Sequence, residues 1–162
     1  MFKKLFLAAV MAVGALSASA ALPSVVLKDM DGKTIDTAEL YNDGKPIVIS
    51  FWATWCKPCL RELNAIKEVY PDWQDETGVK VIAVSIDQAQ DAQKVKPLVS
   101  RLGWDYDVLL DQNSEFKRQM NVSDPPHVFV IDGQGNVVWN HQGYIEGGEE
   151  EILEAVKNAM GE

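Results

Sequence analysis

The run Ile47-Val48-Ile49-Ser50-Phe51-Trp52 is apolar but for one serine and follows Pro46, as a strand buried on both faces would. Directly after it the period changes. Cys59, Glu62, Leu63, Ile66, Val69 and Tyr70 are three or four apart, so they share one face of a helix predicted over 58–73, which Pro71 should end or kink. Val79–Ile86 reads as a second buried strand. Val95, Leu98, Val99 and Leu102 form another helical stripe, with Pro97 as an interruption. Val108–Leu110 is a short apolar run, and 114–120 a short helix. Strands at 127–131 and 137–141 flank Asp132-Gly133-Gln134-Gly135-Asn136 as a hairpin, and 149–160 is a last helix with acids at its start and Lys157 near its end. Ahead of all this, Val25–Leu27 and Lys33–Ile35 flank Asp31-Gly32, a strong hairpin signal. Strand–helix–strand units followed by a hairpin and a helix predict an α/β fold, a mixed sheet with helices on both faces.

The first twenty residues stand apart. Lys3 and Lys4 precede a charge-free apolar run, Leu5–Leu16, and Ala18-Ser19-Ala20 supplies the small residues a signal peptidase reads, so residues 1–20 are expected to be a leader cleaved before Ala21. The alternative is an uncleaved anchor in the inner membrane, but the run is shorter than the ~20 residues a spanning helix needs. No cysteine follows it, which excludes a lipoprotein anchor. Residues 21–162 are then one domain, exported to the periplasm. The whole chain has 15 basic and 24 acidic side chains, a net charge of −9, and the mature part carries −11. Such a surface does not suit nucleic acid, which needs a positive field.

The chain has 2 cysteines, too few for a stapled scaffold or a four-thiolate zinc site. They lie in Trp55-Cys56-Lys57-Pro58-Cys59, between the first buried strand and the helix it feeds. At a helix start the free N–H groups and the positive end of the dipole favour thiolate at Cys56, the attacking species in disulfide exchange. Pro58 fits the first turn, where its missing N–H costs nothing. Two intervening residues let Cys59 fold back on Cys56. Lys57 adds a charge favouring the thiolate by no more than about 1 kcal/mol if exposed.

The stretch Phe51-Trp52-Ala53-Thr54-Trp55-Cys56-Lys57-Pro58-Cys59 resembles the active site of the thioredoxin superfamily, and Leu60-Arg61-Glu62-Leu63 after it is similar to the exported TlpA/ResA/CcmG-like thiol–disulfide oxidoreductases. The resemblance covers nearly all of 22–162, the N-terminal hairpin included. It implies a thioredoxin fold, a redox-active Cys56–Cys59 disulfide, no cofactor and no bound metal, and a monomer. Its partners would be disulfide-bearing protein substrates and a membrane thiol electron donor.

It also marks further residues. Where cytosolic thioredoxins keep a buried Asp, this sequence has Ser50. Glu62, one turn beyond Cys59, is expected to move a proton at Cys59, against the alternative of a solvated helix glutamate. Pro126 matches the family's cis-proline, whose loop docks extended substrate beside the sulfurs. The preceding residue is Pro125, which has no N–H, so that docking should lose a backbone bond. His127 follows, expected either to tune Cys56 or hold substrate, or else to be a strand histidine with its ring in solvent. Trp52 and Trp55 are expected to form an apolar wall beside the dithiol, core aromatics being the alternative.

The function this implies is reduction of protein disulfides, with apocytochrome c among the candidate substrates. The alternatives are a dithiol oxidase, a peroxidase of the peroxiredoxin type, disfavoured because the cysteines are adjacent in a helix-start motif, and a copper or zinc carrier using Cys56, Cys59 and His127 or His141, for which no ligand spacing speaks.

Overall fold

The computed structural model describes residues 20–161, so the expected leader lies outside the described residues except for Ala20. Eight strands form one mixed sheet: β1 (Ala20–Ala21), β2 (Val26–Asp29), β3 (Thr34–Asp36), β4 (Ile47–Trp52), β5 (Lys80–Ser85), β6 (Asp107–Leu110), β7 (His127–Ile131) and β8 (Asn136–Gln142). Their order across the sheet is β1-β8-β7-β4-β5-β6-β2-β3. β4, β5 and β6 run parallel, and the other pairs are antiparallel. The helices are α1 (Lys57–Thr77), α2 (Val95–Leu102), α3 (Glu115–Gln119) and α4 (Glu149–Ala159).

β4 is central, and all six of its residues are buried. Successive side chains on a strand face opposite ways. Ser50 points toward α1, where it bonds Glu62, and Phe51 points the other way, 5.3 Å from Phe116 of α3. α2 docks on the α1 side: Lys67 donates to the Leu102 carbonyl, and Trp104 just beyond α2 donates to Asn64. Helices therefore cover both faces, as expected. The N-terminal hairpin β2–β3 extends the sheet through β6, its turn fastened by Asp29, whose Oδ1 accepts from the N–H groups of Asp31 and Lys33.

Two proline expectations are corrected. Pro71 does not end the helix of 58–73; α1 continues to Thr77 and stops at Gly78, in the left-handed conformation. The residues past Pro71 have reason to stay helical. Trp73 and Thr77 are buried, and Trp73 alone is worth more than ~1.5 kcal/mol in apolar burial, which with its neighbours offsets the ~3 kcal/mol an internal proline costs. Pro97 does not interrupt α2. It sits in the first turn, where its N–H would have had no helical partner. Ala20–Ala21, set across the expected cleavage point, pair with Val137 and Asn136 of β8.

Candidate active site

The site lies at the C-terminal end of β4. The chain leaves the sheet at Ala53, turns through Thr54 and Trp55, and enters α1 with Cys56 as its N-cap. Cys56 and Cys59 are joined in a disulfide with their α-carbons 5.3 Å apart. The Cys59 N–H points at Cys56 Sγ across 3.3 Å, so a donor of the helix terminus is directed at the outer sulfur. Cys56 is 5% exposed and Cys59 is fully buried. An incoming sulfur can therefore meet only Cys56. Lys57 is exposed.

Around this pair the surface is uneven. Trp55 stands 63% exposed, while Trp52 is a core residue, edge-on to Trp104 at 5.0 Å, so only one of the two tryptophans walls the site. Beside Trp55 a groove of about 810 Å³ runs toward α2, lined by Thr54, Pro97, Leu98 and Arg101. A second depression, which Trp55 also lines, leads to Gln88 and Pro125. The Pro125–Pro126 peptide is cis, and the Pro126 carbonyl accepts from Gly143, tying the loop to the strand end of β8.

Residues 18–140 match the family described as AhpC/TSA. The chain belongs to the AhpC/TSA family. It is 36% identical over 116 residues to the thiol-disulfide oxidoreductase ResA of Bacillus thuringiensis (strain Al Hakam), a match covering 72% of this chain and 64% of that protein, so it spans less than two thirds of that relative's length. Among solved structures it resembles an uncharacterized thioredoxin-like protein from Porphyromonas gingivalis, 62% identical with a TM-score of 0.77 over 85% of this chain and 90% of that one. It also resembles a thio-disulfide isomerase from Thermus thermophilus, 29% identical with a TM-score of 0.70 over 87% and 95%. The resemblance to ResA-like proteins and the thioredoxin-like fold, both expected from the sequence, hold.

In this AhpC/TSA family member Glu62 is no solvated side chain. It is 2% exposed on the buried face of α1, three residues beyond Cys59, and its Oε1 accepts from the Ser50 hydroxyl at 3.2 Å. Burial pushes its pKa up to about 8; the Ser50 bond opposes this, and the charge of Glu149 adds to it. In the disulfide form the carboxyl thus keeps its proton at neutral pH.

His127 is not the strand histidine with its ring in solvent that is one expectation for it. Its ring is 8% exposed, stacked on Phe129 with centroids 4.4 Å apart, and Nε2 lies 3.0 Å from Asn140 Oδ1. His127 shares its face of the sheet with Phe129, two residues on, and with Phe51, its register partner on β4. His141 lies exposed on β8. Among the described residues no three His, Cys, Asp or Glu side chains are grouped to hold a metal ion.

The sequence reading missed Asp87 and its partners. Asp87 is 1% exposed just past β5 and accepts three hydrogen bonds, two from Thr54 and one from Ser85. The signal that could have found it was a lone acid ending an apolar strand at the carboxyl edge of a parallel pair, where α/β sheets place their sites.

Proposed function

We propose that this chain is an exported thiol–disulfide oxidoreductase that reduces disulfides in other proteins by cycling Cys56 and Cys59 between dithiol and disulfide. The observation that carries the reading is the arrangement of the pair: an outer sulfur at a helix N-cap with a backbone N–H aimed at it, and an inner sulfur reachable only from the outer one. The names of the ResA relatives agree with it. Cys56 thiolate attacks a substrate disulfide, forming a mixed disulfide and expelling one substrate thiolate. Cys59 passes its proton to the Glu62 carboxylate and attacks Cys56 Sγ, expelling the second thiolate and leaving the enzyme as the disulfide. Two electrons have moved to the substrate. The proton given up by Cys59 is the one Glu62 retains below a pH of about 8. When a donor dithiol, in this reading a membrane thiol carrier, attacks Cys56, that proton returns to the departing Cys59 sulfur.

Trp55 and the two depressions beside it suit a polypeptide substrate laid along the Pro125–Pro126 loop. Pro125 contributes a carbonyl there but no N–H, so main-chain docking is one bond poorer than with another residue in its place. Residues 1–20 act as the leader directing the domain to the periplasm. Among the described residues no helix is long and apolar enough to cross a membrane.

The test is reduction of insulin disulfides with dithiothreitol as donor, together with trapping in the native compartment. Wild type accelerates insulin reduction, Cys56→Ser abolishes it, and Cys59→Ser accumulates mixed disulfides with partner proteins. A wild type without effect on insulin, or a Cys59→Ser protein that captures nothing, overturns the proposal. A dithiol that stays reduced in a glutathione buffer reverses its direction to that of an oxidase.

A further inference from the structure

Burying a carboxyl group costs several kcal/mol unless its oxygens are well bonded, and retaining one in place of an apolar residue is a sign that position matters there. Asp87 has no lysine or arginine within ion-pair distance among the described residues. Its bonds go to hydroxyls and one backbone N–H instead. Oδ1 accepts from Thr54 Oγ1 at 2.6 Å, and Oδ2 accepts from Thr54 N at 2.9 Å and from Ser85 Oγ at 2.7 Å. Thr54 is therefore gripped by backbone and side chain at once, and the grip is anchored to the end of β5, since Ser85 Oγ also accepts from the Asp87 N–H.

The residue after Thr54 is Trp55. Being 63% exposed, its indole has few neighbours to hold it, so the direction from which the ring projects is set by the backbone that carries it. Together with Asp91 it lines both the groove toward α2 and the depression toward Pro125. Cys56 is fixed on other grounds: its N–H donates to Ala53, its carbonyl accepts from Leu60, and its sulfur is bonded to Cys59.

We propose that Asp87 is a positioning residue that, by gripping Thr54, holds Trp55 as a wall common to the groove and the depression and so determines how well polypeptide disulfides dock, without entering the thiol exchange itself. This rests on the redox reading above and adds to it a basis for preferring protein over small-molecule disulfides.

The experiment compares pre-reduced wild type, Asp87→Ala, Asp87→Asn and Thr54→Val in single turnovers against insulin and against bis(2-hydroxyethyl) disulfide, which is too small to span the groove and the depression. For Asp87→Ala the insulin rate at low substrate falls about ten-fold, as the loss of buried hydrogen bonds allows, with the change in the concentration dependence rather than the limiting rate. The small disulfide changes by less than about two-fold. Thr54→Val keeps the N–H bond and loses the hydroxyl bond, so it falls between and serves if Asp87→Ala does not fold. Asp87→Asn recovers most of the insulin rate, because its amide oxygen can take the place of Oδ2 while the Thr54 hydroxyl turns to accept from the amide nitrogen. Equal losses on both disulfides, or an unchanged insulin-to-small-disulfide ratio in both Asp87→Ala and Thr54→Val, overturn the role of Asp87. A wild type inert toward both disulfides overturns it together with the redox reading.

Discussion

Ser50 and Glu62 meet across the interface between β4 and α1, the serine hydroxyl donating to a carboxyl that is otherwise walled off from water. One hydroxyl is a weak partner for a buried charge, which is why burial prevails and the carboxyl titrates near 8. This has a consequence for stability. Below about pH 4.5, the ordinary value, folded and unfolded chains both hold the proton and the group contributes nothing. From there to about 8 the unfolded chain releases its proton while the folded disulfide form keeps it, so stability falls as pH rises, and above about 8 the loss levels off. One such group costs at most ~1.4 kcal/mol per pH unit. Denaturant titrations of the oxidised protein, run from roughly pH 5 to roughly pH 9 to bracket this window, should show wild type losing ground to Glu62→Gln up to about 8. The buried amide adds a constant offset, so the slope is the measurement. Parallel curves would mean that Glu62 ionises normally.

Pro71 lies exposed in the interior of α1, where its nitrogen cannot donate to the Lys67 carbonyl one turn back. Pro71→Ala restores that bond and gives up the smaller advantage proline has in restraining the unfolded chain, ~0.4–1 kcal/mol. The net expectation is a gain of ~2–2.6 kcal/mol, read as a higher urea midpoint at unchanged slope. A loss of stability would show that the helix needs the proline's geometry.

That helix also shows where sequence reading stops. The change of period at 52–59 locates the strand, the helix and the dithiol, because apolar spacing and a helix-start cysteine pair are local signals. Proline's effect is not local: whether Pro71 ends a helix depends on whether Trp73 and Thr77 find a core to enter, which the chain near them does not disclose. The same holds for His127, whose ring meets Asn140 on another strand, and for Asp87, whose partner Thr54 is 33 residues away. That Glu62 shares the buried face of α1 with Cys59 is legible because the relation is carried within one helix turn.

Gly133 occupies the β7–β8 turn against the loop ahead of β4. A β-carbon there would lie 2.0 Å from the Gly44 carbonyl oxygen, a backbone atom with no rotamer to change. Gly133→Ala must push two loops apart and should cost ~2–3 kcal/mol, at the upper end of ordinary overpacking. Gly32→Ala is the control: its β-carbon would meet nothing, so its cost is confined to the strain of φ +87°, ~1–2 kcal/mol. Thermal unfolding of the two variants should rank Gly133→Ala as the less stable. The reverse order would mean that the Gly44 loop yields freely.

His127 follows the cis-proline with its Nδ1 buried and without a hydrogen-bond partner, while Nε2 is satisfied by Asn140, which is itself exposed and can turn to water. The ring's contribution is therefore its stacking on Phe129 more than its polarity. His127→Phe keeps the aromatic area, removes the orphaned nitrogen and should leave stability within ~1 kcal/mol of wild type or raise it. His127→Ala empties the space beside Phe129 and should cost ~2–4 kcal/mol, as large-to-small core changes do. If imidazole chemistry serves thiol exchange, His127→Phe will fold well and yet lose insulin reduction. If the ring is structural, insulin reduction by His127→Phe will follow wild type, and only His127→Ala will be impaired, in proportion to its lost stability.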